Sequence, residues 1–219
     1  AIAAIDAGDH RKWGYALGMS WYHEDLPMSD PVFRAIAMVR HRLIRIVQLL
    51  QDGDVPFAIC GGWAVAAWVA EVDEDATRTT KDVDVLLRRE DLERANAAVA
   101  KGGFEFVEAH GVPMWLDPED PRPKRAVHIV WANEITREGD PLPAPDIEPT
   151  HVSESHPYPR VGFEEILRMK LLAWRDHDRA HLRDMVHIGL LRPEMLDRFD
   201  GVLRERLQFI FDNPETSLG

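Results

Sequence analysis

The sequence predicts an α/β (α+β) chain, a mixed β-sheet flanked by helices and followed by a helical C-terminal part. Three observations carry this expectation. Short β-branched runs such as Val83–Leu87 alternate with helical patterns up to about residue 136. A Gly61-Gly62 turn joins one such run directly to a helix. Beyond residue 162 the apolar spacing is helical throughout.

Taken in order, residues 1–30 show no clear period. Their Trp13, Tyr15, Trp21 and Tyr22 suggest an N-terminal arm that packs on a partner subunit, as in a homodimer. Ser29 or Asp30 caps a helix that begins at Pro31. Val32, Ile36, Val39, Leu43, Ile46 and Leu50 give it an apolar stripe, and Asp52-Gly53-Asp54 ends it. Pro56–Cys60 reads as a strand, Trp63–Val72 as a helix, Thr77–Lys81 as a polar connection and Val83–Leu87 as a second strand. Arg89–Lys101 reads as a helix closed by Gly102-Gly103. Phe104–Ala109 and Val112–Leu116 form a hairpin, Asp117–Lys124 a Pro-rich turn, and Ala126–Asn133 a further strand. These elements make a core over residues 31–136. Residues 137–162, with Pro141, Pro143, Pro145, Pro149, Pro157 and Pro159, read as an extended connection. In the helical part, 163–219, Gly162-Phe163-Glu164-Glu165 opens one long helix through Lys170 and Trp174 to about Ile188. Pro193 starts a last helix that ends before Pro214.

With 219 residues the chain can bury one sizeable core, or one domain and a small satellite. A net charge of −12 argues against a generic nucleic-acid coat. It does not argue against a nucleotide site, because Mg²⁺ bridges carboxylates to phosphates. The lone cysteine, Cys60, excludes an internal disulfide and fits a reducing compartment. No run approaches the ~20 apolar residues of a membrane span. Asp6, Asp9, His10, Arg11 and Lys12 precede any apolar run, which speaks against a signal peptide. A cytoplasmic location is expected.

Asp82 and Asp84 stand two apart on a strand, so both side chains point to one face. Side-by-side carboxylates repel unless a cation joins them, and such oxygen pairs suit Mg²⁺. Gly61 and Gly62 let a backbone approach a ligand closely. The helix that follows offers free N–H groups and a positive dipole end to a phosphate. Thr79, Thr80 and Lys81 add donors beside the acidic pair. A Gly-Gly alone is commonly a tight turn, and an Asp-x-Asp alone is commonly solvated. The two together, about twenty residues apart, are more specific.

On the predicted long helix, Lys170, Trp174, His177, His181 and Asp184 share one stripe, too polar for a core face. It reads as a solvated face, or as the wall of a cleft with Lys170 at phosphate and Trp174 at a base or ribose. A third reading takes His177, His181 and Asp184 as the zinc site of a hydrolase. Arg175, Arg179, Arg183 and Asp178 read as helix-surface pairs, and Trp63, Trp68, Trp115 and Trp131 as core.

The stretches FAICGGWAVAAWV and TRTTKDVDVLL resemble the core of the nucleotidyltransferase superfamily related to DNA polymerase β. The likeness is nearest to small bacterial members of the AbiEii-toxin and aminoglycoside-nucleotidyltransferase kind. It covers roughly residues 55–190, its far part being MKLLAWRDHDRAHLRDM. The resemblance implies a bound nucleoside triphosphate, Mg²⁺ (or Mn²⁺) on Asp82 and Asp84, phosphates at Gly61 and Gly62, and a triphosphate contact from Lys170. It also implies a third carboxylate from a neighbouring strand, and here AVHIVWANE places His128 at that position. Either His128 or Glu134, which shares its parity, completes the metal shell, and His128 is a candidate base for the acceptor hydroxyl. The implied reaction moves a nucleoside monophosphate onto a hydroxyl of a tRNA, a protein or a small molecule, as in a toxin of a toxin–antitoxin pair. The competing expectation is a nucleotide-binding or interaction protein that lacks turnover because of His128.

Overall fold

The structure, a computed structural model, describes residues 31–214, with side chains from residue 34. The N-terminal arm, its expected role in a homodimer and the Ser29 or Asp30 cap lie outside the described residues. In chain order the elements are α1 (Pro31–Asp52), β1 (Ala58–Cys60), α2 (Gly61–Ala70), β2 (Val83–Leu87), α3 (Leu92–Ala100), β3 (Glu105–Ala109), β4 (Val112–Leu116) and β5 (Val127–Trp131). They continue with β6 (Thr150–His151), β7 (Arg160–Val161), α4 (Phe163–Ala173), α5 (Asp176–His187) and α6 (Gly201–Asp212).

The strands form one mixed sheet in the order β3-β4-β5-β2-β1-β7-β6. β2 runs parallel to β5 and antiparallel to β1. Side-chain alternation divides the core between the two faces. Ile59, Val83, Val85, Leu87, Val127 and Ile129 turn toward α1 and α3, where Val39, Leu43, Ile46 and Ala95 receive them. Ala58, Cys60 and Leu86 turn the other way, into a core shared with Leu167 and Leu171 of α4, Leu182 of α5 and Leu203 of α6. The helical part therefore does not stand apart from the sheet, since both bury side chains in one core. Asp84 has the parity of Leu86, and so it faces α4.

Three expectations are corrected. The Pro-rich stretch is not wholly a connection, because it contributes β6 and β7, and β7 lies parallel to β1 through Ile59 and Arg160. The pairing is short because Pro157 and Pro159 lack the N–H a ladder needs. Arg160 is fully buried there, paired with Glu71 and lying over the Trp68 ring at 4.6 Å. The expected long helix is broken at Trp174, whose φ of 51° ends α4 in the left-handed region. The break costs a bulky residue energy. It is held by an edge contact of the Trp174 ring with Phe209 and by Arg206, which donates to the carbonyls of Leu171 and Leu172 at 2.6 and 3.0 Å. The last helix is likewise preceded by a separate 3-10 turn, Pro193–Arg198. Of the four tryptophans expected in the core, Trp115 is fully buried and donates to Asn96 at 2.7 Å, while Trp63, Trp68 and Trp131 are partly buried against it.

Burial pushes the His156 and His181 imidazoles down to about 4. A depressed histidine contributes stability that is fully present above its unfolded value near 6.5 and is lost as pH falls toward the folded value. The melting temperature should therefore drop steadily between pH 6.5 and 5, before carboxylates begin to titrate. His156→Gln should flatten that slope. A melting temperature independent of pH across this window would contradict the assignment.

Candidate functional site

The site begins where β1 turns into α2. Gly61 has φ +64°, and a Cβ placed on it would lie 1.9 Å from Asp84 Oδ2. A Cβ on Gly62 would lie 2.4 Å from Thr80 Oγ1. Both glycines are thus dictated by close approach: the elbow backbone lies directly against the acidic strand and its lead-in. No side chain caps the first turn of α2 at Cys60. Its N–H groups and dipole end remain available to an anion.

Across the elbow, Cys60 pairs in register with Asp84, and Asp84 with His128. His128 Nδ1 is 3.8 Å from Asp84 Oδ1, and each side chain is 26% exposed. Asp82 lies exposed at the entrance to β2, close enough for its charge to act on Asp84. Burial pushes the Asp84 carboxyl above the usual carboxylate range. His128 and Lys170 pull it back, and Asp82 pushes it up again. A cation at this pair would relieve both burial and repulsion. Burial also raises the Cys60 thiol, with Asp84 adding to the effect. Cys60 is therefore a packed neutral thiol and no nucleophile.

A cleft of about 160 Å³ opens over this floor. Cys60, Gly61 and Asp84 line its base, and Lys170, Arg175 and Asp178 line one wall. Arg137 and Asp140, from the loop after β5, line the other. Lys170 Nζ donates to Asp178 Oδ1 at 2.8 Å, and Arg175 Nε to Asp178 Oδ2 at 2.6 Å. Burial alone would raise the Asp178 carboxyl, but the Arg175 hydrogen bond and the Lys170 charge bring it down to about 2. Asp178 thus holds two cations on the wall facing Asp84.

Of the residues expected from sequence, the structure brings together Gly61, Gly62, Thr80, Asp82, Asp84, His128 and Lys170. Glu134 is not with them. Strand pairing ends at Trp131, Asn133 turns with φ +61°, and parity no longer applies. Glu134 is instead gripped by Arg89 through two hydrogen bonds of 2.7 and 2.6 Å. Trp174 is also misassigned. The helix break turns its ring onto Phe209, with Arg179 and Arg206 over it, and it does not line the cleft. Thr79 shares with Thr80 a groove beside Trp63 and His156, and Lys81 is exposed next to Asp82.

The stripe from Lys170 to Asp184 does not survive the break, since Lys170 sits on α4 and the rest on α5 or at the junction. Asp184 is taken by Arg78, and the His177 and His181 rings stand 6.3 Å apart. Among the described residues no three His, Cys, Asp or Glu side chains converge to hold a metal. The zinc arrangement is therefore not built. Asp178 is no surface partner either, being fully buried. Arg179 pairs with Asp176, and Arg183 donates to the Asn213 carbonyl. Sequence reasoning missed Asp178, Arg175 and the 136–144 loop. The acidic residues Asp176 and Asp178 after Arg175 carry the signal of a new helix start, and Arg175 with Asp178 forms a capping box.

No protein-family model and no curated protein matches the chain. Solved structures do. ANT(2'')-Ia, crystallised in complex with adenylyl-2''-tobramycin, aligns with TM-score 0.51 at 18% identity, over 80% of this chain and 99% of that one. An antigenic nucleotidyltransferase-like protein from Paracoccidioides brasiliensis aligns with TM-score 0.49 at 18% identity, over 82% and 88%. The solution structure of ANT(2'')-Ia, an antibiotic-resistance factor, aligns with TM-score 0.40 at 16% identity, over 85% and 86%. The first of these establishes a likeness of fold, and the chain has the nucleotidyltransferase-like fold expected from its sequence.

Gly61→Ala should cost more than a positive φ alone. Gly111, at φ +76° with nothing near a built Cβ, is the internal control. Chemical denaturation should show a loss of about 1 kcal/mol for Gly111→Ala and about 1–3 kcal/mol more for Gly61→Ala, where Asp84 must also move. Equal losses would contradict the close approach.

Proposed function

We propose that the chain is a Mg²⁺- or Mn²⁺-dependent nucleotidyltransferase that moves a nucleoside monophosphate from a nucleoside triphosphate to an acceptor hydroxyl. The observation that carries this is the Asp84 carboxylate lying against the Gly61 elbow, facing Lys170 and Arg175 across one cleft. An anion seat, a cation seat and a cationic wall are together within the reach of a single metal-bound triphosphate.

The donor set fits the ion. Asp82 and Asp84 would supply hard oxygens, which suit Mg²⁺, an ion that keeps waters and substrate phosphates in its shell. When bound there, the ion supplies positive charge between the carboxylates and the phosphates. The first-turn N–H groups of α2 hold phosphate oxygens. Lys170 and Arg175, fixed by Asp178, neutralise the charge that grows on the departing pyrophosphate. His128, 3.8 Å from Asp84, takes the proton from the acceptor hydroxyl as its oxygen bonds the α-phosphorus and the bond to the β-phosphate oxygen breaks. The acceptor is a tRNA, a protein or a small molecule. Transfer to a tRNA or protein would suit a toxin of a toxin–antitoxin pair in the cytoplasm.

One observation favours a second reading, a nucleotide-binding protein without turnover. His128 occupies the position expected of a third carboxylate, and Glu134 is held by Arg89.

Labelled nucleoside triphosphates, Mg²⁺ or Mn²⁺ and a cell extract test both. Label transfer that falls at least ~100-fold in Asp84→Asn supports the enzyme. His128→Ala should lower transfer by ~10²-fold or more. Triphosphate binding without transfer under either metal would establish the second reading. Transfer unchanged in Asp84→Asn would overturn the site.

A further inference from the structure

The chain is acidic, with 26 Lys and Arg against 38 Asp and Glu. Even so, arginines converge away from the cleft, where the first half of α1 meets the β4–β5 connection. Arg34, Arg42, Arg122 and Arg125 line a hollow of about 220 Å³, in which Asp120 is the one carboxylate among the described residues. Arg42 is 1% exposed and its Nε is held by Asp117 at 2.8 Å. Its Nη1, equally buried, has no hydrogen-bond partner among the described residues. A buried guanidinium nitrogen without an acceptor is costly unless a ligand supplies one. Arg122 grips Asp120 through Nε and Nη2. Arg125 makes no side-chain ion pair among the described residues. The free Nη1 of the buried Arg42 and the Arg125 guanidinium thus converge on one hollow, the chemistry that recognises a phosphate group.

Its place in the fold is also informative. β2 and β5 are parallel, with Val83 opposite Val127. The turn that carries Arg122 and Arg125 therefore enters the sheet beside Asp82, at the same end. We infer that this arginine hollow is a second anion site that seats a phosphate group of the acceptor while the acceptor hydroxyl reaches Asp82 and Asp84. The link to the acceptor rests on the transfer reading, whereas phosphate binding by the hollow does not. The phosphate belongs either to an RNA strand or to a phosphorylated small molecule.

The test uses the full chain. Anisotropy of a short labelled single-stranded RNA, with inorganic phosphate as competitor, is compared between wild type, Arg125→Glu and Arg34→Glu. Both side chains lie toward the surface, so both variants should fold, which melting checks. RNA affinity should fall ~10-fold in each variant, with a shallower salt dependence, while ATP binding stays unchanged. Competition by phosphate without RNA binding would assign the hollow to a small phosphorylated acceptor. RNA that binds in this way but receives no label would count against the transfer reading and leave the anion site standing. Failure of both RNA and phosphate to bind wild type, or equal binding by the variants, overturns the inference.

Discussion

The carboxylate of Asp84 lies where the Cβ of residue 61 would stand in any other residue type. That contact requires a glycine with positive φ at the end of β1, a strand that delivers Asp84 in register opposite Cys60, and a helix that starts at once. Each follows from the chain's alternation. Leu86 must enter the core beneath α4, and its parity carries Asp84 to the same face, with Asp82 just ahead of the strand, while Val83, Val85 and Leu87 fill the other. A one-residue slip would bury the Asp84 carboxylate under α1. Hydrophobic burial and placement of the acidic pair are therefore one constraint.

The second constraint is the buried charge network on the wall. Lys170 is 4% exposed and Asp178 fully buried, which is tolerable only because they pair and Arg175 completes the carboxylate's bonds. The break at Trp174 makes this possible. It lets α5 start anew, so that Asp178 reaches back to Lys170 across the junction between the two helices. The helical part thereby shares the sheet's core and supplies the cations facing its carboxylates.

Much of this was legible in the sequence. The Gly-Gly elbow, the Asp-x-Asp strand and the histidine opposite it are local patterns with period two, and the register keeps them together. Glu134 was misread because parity was extended past the end of pairing at Trp131. The helical stripe was misread because nothing like glycine or proline marks the break, and a tryptophan holds the left-handed turn through contacts with the distant Phe209 and Arg206. The β6 and β7 strands hid among prolines. The arginine hollow joins α1 to a turn some eighty residues later, a proximity that only tertiary structure reveals.

The most direct measurement is a crystal structure with Mn²⁺ and a non-hydrolysable nucleoside triphosphate, read by anomalous scattering. An anomalous peak bonded to both Asp82 and Asp84, with phosphate oxygens on the first turn of α2 and near Lys170, is the expected result. Manganese bound elsewhere, or a triphosphate seated away from the Gly61 elbow, would contradict the account.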